Sequence, residues 1–245
     1  MMRLALGLLS LLLPAPAQSA DCQTVRFDGA RFTICEVDLT QDTLRLWLND
    51  RNGVPLGSFT NVNRLLAAQG KELGIAMNAG MYHADRSPVG HYVEDGQETM
   101  RVITSDGPGN FGLLPNGVLC LGDGTARVIE SRRYASDRPE CTHATQSGPM
   151  LVIDGDLHPR FLENSDSTYI RNGVGVSADG KTAWLAISED RVNFHHFGRL
   201  FRDAIGARDA LYFDGNISRL YDSGTGRNDF GLPMGPIIGT VRQAG

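Results

Sequence analysis

The chain has 245 residues, 41% of them hydrophobic, enough to bury one substantial core, and no shift in composition divides it into two. Its formal net charge of -5 argues against nucleic acid or anionic membranes as partners, although a local basic pocket could still receive an anion.

Residues 1–20 read as a secretory signal peptide, with Arg3 as the positive start, Leu4 to Leu13 as the apolar stretch and Pro14 to Ala20 as the small-residue exit. The remainder, 21–245, is expected to be one exported domain, placed in the periplasm, with no membrane anchor because no later apolar run reaches the roughly 18 residues of a spanning helix. Four cysteines in an exported chain imply two disulfides, and among the three pairings the short loops favour Cys22 with Cys35 and Cys120 with Cys141. Neither C-x-x-C nor a His at zinc spacing accompanies them, so no cofactor is expected and a divalent metal stays open.

Arg31–Asp38 and Leu44–Leu48 alternate with a period near two and predict an opening hairpin. Phe59–Gly70 predicts a helix capped by Thr60 or Asn61, followed by a short buried strand, Ile75–Met77, that ends in Asn78. From Ala79 to Gly112, Gly and Pro punctuate a loop system with strand-like interruptions at 91–93 and 100–103. Phe111–Leu114 and Gly117–Cys120 predict two strands around a Pro115-Asn-Gly turn, and Ala126–Ile129 another. Arg132–Thr145 could be helix or loop, and it feeds a strand at Met150–Ile153. Tyr169–Val176, the Asp179-Gly180 turn and Thr182–Ile187 make the clearest hairpin. Phe194–Ile205 predicts a helix, Leu211–Phe213 a buried strand, and Gly235–Val241 a terminal strand with Pro236 at its beginning or on an edge. Strands dominate without regular strand-helix alternation, which predicts an α+β domain on a largely antiparallel or mixed β-sheet with two or three packed helices.

Asn78, Asp154 and Asp214 each end a short apolar run and are followed within two residues by Gly, a position where a rigid strand presents a polar group to a loop. If their strands run parallel, Asp154 and Asp214 converge as the carboxylate pair that glycosidic hydrolysis uses. A phosphate diester leaves as a stable anion, so cationic and amide donors matter more than a strong acid, and Arg171, Asn78 and Asn110 are of that type. Ser147 in Gln-Ser-Gly-Pro only imitates a nucleophile elbow. His195-His196 point in different directions from a helix, which favours a structural role for one of them.

Asn78-Ala-Gly-Met-Tyr82, Pro88-Val-Gly90, Asn110-Phe-Gly112, Gln146-Ser-Gly-Pro-Met-Leu-Val152 with Asp154-Gly155, Arg171-Asn-Gly-Val-Gly175 and Asp214-Gly-Asn-Ile-Ser218 come in the order and spacing of a family. On these motifs the chain resembles the phosphodiester glycosidase family, in its bacterial exported branch. Asn78, Arg171, Asp214, Gly215 and Ser218 match that family's pattern. Met81-Tyr82 replace an aromatic pair, Asn172 stands where Thr is common, and Asn216-Ile217 replace glycines. The resemblance implies an α+β fold and hydrolysis of a sugar-1-phosphodiester, here in an envelope glycan or exopolysaccharide. Asp214 is the expected principal carboxylate, Asp154 the second acid-base group, and Arg171 and Asn78 the phosphate or substrate holders. Tyr82, His83, Asn110, Gln146, Ser147, Gly148, Asn172, Gly215, Asn216 and Ser218 are expected to line the pocket. The alternatives are a non-catalytic glycan-binding protein and a metal-assisted phosphodiesterase.

Overall fold

Apolar residues recur at every second position in most extended segments, and the structure buries them between three sheets. The computed structural model describes residues 21–244; the expected signal peptide lies outside the described residues. The largest sheet has seven strands in the order β1 (Asp21–Phe27), β2 (Ala30–Asp38), β13 (Thr182–Ser188), β12 (Asn172–Val176), β14 (Asp209–Asp214), β10 (Met150–Ile153) and β11 (Asp156–Leu157). A second has β16 (Arg227–Asn228), β15 (Leu220–Asp222), β4 (Lys71–Asn78), β17 (Ile237–Gln243) and β3 (Leu44–Trp47). A third has β6 (Gln97–Met100), β5 (Tyr92–Glu94), β9 (His143–Ser147), β7 (Gly117–Gly122) and β8 (Thr125–Glu130). All of these neighbours pair antiparallel.

One central core takes Leu185, Val174 and Phe213 from the first sheet, Met77 and Ile238 from the second, and Leu119 from the third. The outer faces are covered by short helices: α1 (Phe59–Ala67) on the second sheet, α2 (Ser131–Asp137) on the third, and α3 (Phe194–Arg199) with its π-helical continuation Leu200–Ile205 on the first. The strands are therefore buried on both sides, and a polar group at a strand end must find its partner inside the protein.

The α+β class, the antiparallel pairing and the three helices match expectation, but one sheet became three. The opening hairpin at 31–38 and 44–48 does not form. Instead β2 turns back on β1 through Asp28-Gly29, both at positive φ (46° and 84°), and β3 crosses to pair with β17. Alternation fixes which face a strand buries but not its neighbour. Residues 111–114 are loop, and β7 pairs with β8 and β9. Ser58 caps α1, accepting from Asn61 N–H at 3.2 Å, in place of Thr60 or Asn61. The 172–176/182–188 hairpin forms with Asn172 opposite Ile187. Both disulfides have the expected pairing, Cys22–Cys35 and Cys120–Cys141.

Candidate active site

The candidate site grows from the adjacent strands β12 and β14. In Arg171-Asn-Gly-Val-Gly175, alternation turns Val174 to the central core and Gly173 and Gly175 toward α3. A Cβ at Gly173 would lie 2.5 Å from the Leu211 carbonyl oxygen, and one at Gly175 would lie 2.7 Å from the Phe201 ring. These glycines let β14 and the helical layer close onto β12.

Arg171 is fully buried on that helical side. Its hydrogen bonds run to main-chain oxygens rather than to a carboxylate, Nε to Val192 at 2.8 Å and Nη2 to Ser167 at 2.8 Å. The guanidinium lies 3.7 Å from the Phe194 ring centroid, 5.3 Å from that of Tyr212 and 5.4 Å from that of Tyr169. Nη1 makes no well-formed hydrogen bond. Burial lowers the guanidinium pKa, against the opposing influence of Tyr212 and Tyr169.

Asp214 ends β14 opposite Asn172, with a bulge between Asn172 and Gly173 in the register. Its Oδ1 accepts the N–H groups of Gly215 (2.6 Å) and Asn216 (2.9 Å), which folds the chain into a tight turn. Burial pushes the carboxyl pKa above its ordinary value, and the N–H groups of Asn216, Gly215 and Ile217 only partly counter it. A desolvated carboxylate held by a rigid strand end suits proton transfer better than a solvated one.

The turn is anchored by two buried amides. Asn172 Oδ1 accepts from Asp214 N–H (3.2 Å) and Ser218 Oγ (3.3 Å), and its Nδ2 donates to the Asn78 carbonyl (2.9 Å). Asn78 Nδ2 donates to the Ile217 carbonyl (2.5 Å), and its Oδ1 accepts from Arg219 N–H (3.0 Å). Asn78 thus ties the second sheet to the 214–219 turn with its amide consumed internally. Expected to hold phosphate or substrate, Asn78 is not among the cleft-lining residues. Ser218 Oγ likewise bonds the Ile170 and Asp214 carbonyls, both at 2.9 Å, and is absent from the cleft lining.

Asp214, Gly215 and Asn216 face a cleft of about 480 Å³ that Tyr82, Tyr169, Tyr212, Asn110 and Ser167 also line. Asp214 is the only carboxylate among the described lining residues. Tyr82 is fixed by donating to the Pro233 carbonyl at 3.2 Å, with Arg86 5.4 Å from its ring centroid. Arg171 does not line the cleft itself, but three residues that touch it do: Tyr169, Tyr212 and Ser167.

Several expected members lie elsewhere. β10 and β14 run antiparallel, so Asp154 stands at the opposite end of β14, receiving Arg208 at 2.6 Å while its N–H bonds Asp209 at 2.9 Å. The expected convergence of Asp154 with Asp214 does not occur. Asp154 borders a larger depression of about 530 Å³, but its carboxylate is already paired there and is exposed, so size does not make that depression the better site. Gln146 is buried and bonded to His91, Ile103 and Ser131. Ser147 is buried and donates to the Phe213 carbonyl at 3.0 Å, and Gly148 packs against Asn116. These three brace β9 against its neighbours. His83 is exposed and outside the cleft. His196 bonds the Phe27 carbonyl at 3.1 Å between Phe27 and Phe32, a structural role. No group of three or more His, Cys, Asp or Glu among the described residues is arranged to hold a metal. Sequence reasoning did not name Ser167, or Tyr169 beyond making it the start of a hairpin strand; β12 begins only at Asn172, and both residues reach the cleft because their loop is bonded to Val192 and Asn193.

The phosphodiester glycosidase family profile matches residues 71–230, and the chain belongs to that family. It is 30% identical over 213 residues to the uncharacterized protein YigE of Escherichia coli (strain K12), spanning 87% of this chain and 83% of that one. The zebrafish N-acetylglucosamine-1-phosphodiester alpha-N-acetylglucosaminidase catalytic domain, auto-inhibited by its pro-peptide, shares the fold with a TM-score of 0.62 at 12% identity, over 91% of this chain and 82% of that one. A hypothetical protein from Synechocystis superposes with a TM-score of 0.55 at 13% identity, over 90% of this chain and 61% of that one.

Proposed function

We propose that this protein is an exported hydrolase that cleaves the C1–O bond of a sugar-1-phosphodiester in an envelope glycan or exopolysaccharide. The observation that carries this reading is Asp214, a desolvated carboxylate fixed by main-chain N–H groups in a tyrosine-lined cleft. Family membership supports a glycosidase-type activity, and two disulfides fit an oxidising compartment such as the periplasm.

Asp214 acts as general base. It takes a proton from water while the water oxygen bonds to C1, and the C1–O electron pair departs on the phosphate oxygen. The phosphate monoester is stable as an anion, so no second carboxylate is needed to protonate it. Tyr82 and Tyr169 give the cleft aromatic surface against which a sugar can pack. That Asp214 is the only carboxylate among the described lining residues also favours a second reading, a glycan-binding protein without turnover, because two-carboxylate hydrolysis needs a second such group.

The deciding experiment presents several sugar-1-phosphodiesters to wild type and Asp214→Asn, both checked for folding by circular dichroism. Free sugar released by wild type and lost in the variant supports the proposal. Binding without turnover supports the glycan-binding reading. Sugar-1-phosphate as product, abolished by chelator and restored by a divalent ion, would show a metal-assisted phosphodiesterase instead.

A further inference from the structure

Arg171 presents an unusual electrostatic problem: a fully buried cation, whose hydrogen bonds run to main-chain oxygens and not to a carboxylate, lies one side chain behind the cleft. A buried charge without a counter-ion is costly unless something completes it. Of the three cleft-lining residues that touch the guanidinium, Tyr212 is the one that is itself buried, 1% exposed yet part of the cleft wall.

Its ring is held in place. Phe194 meets it edge-on at 4.8 Å between centroids, and the same Phe194 lies against Arg171. The hydroxyl position is fixed from the other end: a Cβ on Gly215 would lie 2.2 Å from it, so the oxygen rests against the main chain immediately after Asp214. Gly215 is therefore required by this close approach. Leu211 and Phe213, the flanking residues of β14, point into the central core and leave Tyr212 and Asp214 as the strand's side chains toward the cleft.

We propose that the Tyr212 hydroxyl is the hydrogen-bond donor through which the buried Arg171 charge reaches the phosphate of a bound sugar phosphodiester, an assignment that rests on the function proposed above. Burial holds the phenol protonated far above its ordinary pKa, so it donates at any working pH. A neutral donor backed by a cation stabilises the charge that gathers on the departing phosphate, and it does so without placing a second anion beside Asp214. No proton is transferred; the hydrogen bond strengthens as the C1–O bond breaks. Tyr212 then counts as a substrate-contacting residue, and Arg171 as the residue that positions and polarises it.

The test titrates inorganic phosphate by calorimetry into the mature wild-type chain, Tyr212→Phe and Gly215→Ala. The first variant keeps the ring beside Arg171 and Phe194 and removes only the oxygen. The second keeps the oxygen and displaces it, at a residue whose backbone φ is not in the left-handed region. Near-ultraviolet circular dichroism establishes that both are folded. Phosphate binding weakened about tenfold or more in both is expected for loss of a hydrogen bond to a charged group. Either folded variant binding within about twofold of wild type overturns the assignment, as does a wild type that binds no phosphate. Because binding is read without turnover, a wild type that binds phosphate through Tyr212 but releases no sugar counts against the hydrolase alone. Turnover indifferent to Tyr212→Phe counts against this assignment alone.

Discussion

Asn78→Ala separates a positioning role from a substrate-contacting one. The side chain is wholly buried, and its removal strands two partners, the Ile217 carbonyl and the Arg219 N–H; the Asn172 amide loses its contacts to the Asn78 side chain but keeps the Asn78 main-chain carbonyl, Asp214 N–H and Ser218 Oγ. Each unsatisfied group costs roughly 1–3 kcal/mol; Ile217 and Arg219 are half-buried and can partly recover water, giving about 2–4 kcal/mol in total. That is a large share of the ~5–15 kcal/mol that a domain possesses. Urea unfolding is the assay, with the loss appearing as a lower midpoint at constant slope. Catalysis should fall as well, because the 214–219 turn that orients Asp214 loses its anchor. A variant destabilised by less than ~1 kcal/mol but with sharply raised KM would refute this reasoning and return Asn78 to the substrate.

Asp214→Asn should abolish turnover yet raise Tm. The folded pKa of Asp214 is raised, so its charged form weakens the fold at neutral pH; the amide removes that charge while its oxygen can still accept from Gly215 and Asn216. For the same reason the acid limb of the kcat/KM profile should lie above the ordinary aspartate range, activity rising with pH as the base deprotonates; a limb at or below that range would count against Asp214 as the base. Asp154→Asn should leave turnover unchanged, since its partner Arg208 and its position lie at the far end of β14, and a large loss would reinstate it. Replacing both Cys120 and Cys141 by Ser opens a loop of 21 residues. That should cost about 3 kcal/mol. Tm should then fall by about 6–12 °C, read by a thermal melt.

Much of this protein is written locally. The Asp179-Gly180 turn between two apolar runs specifies the β12–β13 hairpin, because side-chain alternation and a two-sided turn act within a few residues. The α+β class, the Asp214 strand end and the disulfide pairing follow from equally short-range features. Asp214 as a strand-end carboxylate facing a loop was legible because an apolar run delivering Asp to a Gly turn is itself a local pattern.

Partner choice between strands is a tertiary decision. The alternation in 31–38 and 44–47 determines buried faces, but only the shared core sends β2 to β13 and β3 to β17. The same indifference of sequence to strand direction hid the fate of Asp154: its Asp-Gly signal matches that of Asp214, yet antiparallel pairing puts the two at opposite ends. Asn78 and Gln146 look like available donors in one dimension, and three-dimensional packing consumes every one of their amide groups. The chain alone determined which residues end strands as polar groups. Only the packing of three sheets decided which of those groups still face a cleft, because a buried amide or guanidinium takes its role from whatever chain, remote in sequence, arrives beside it.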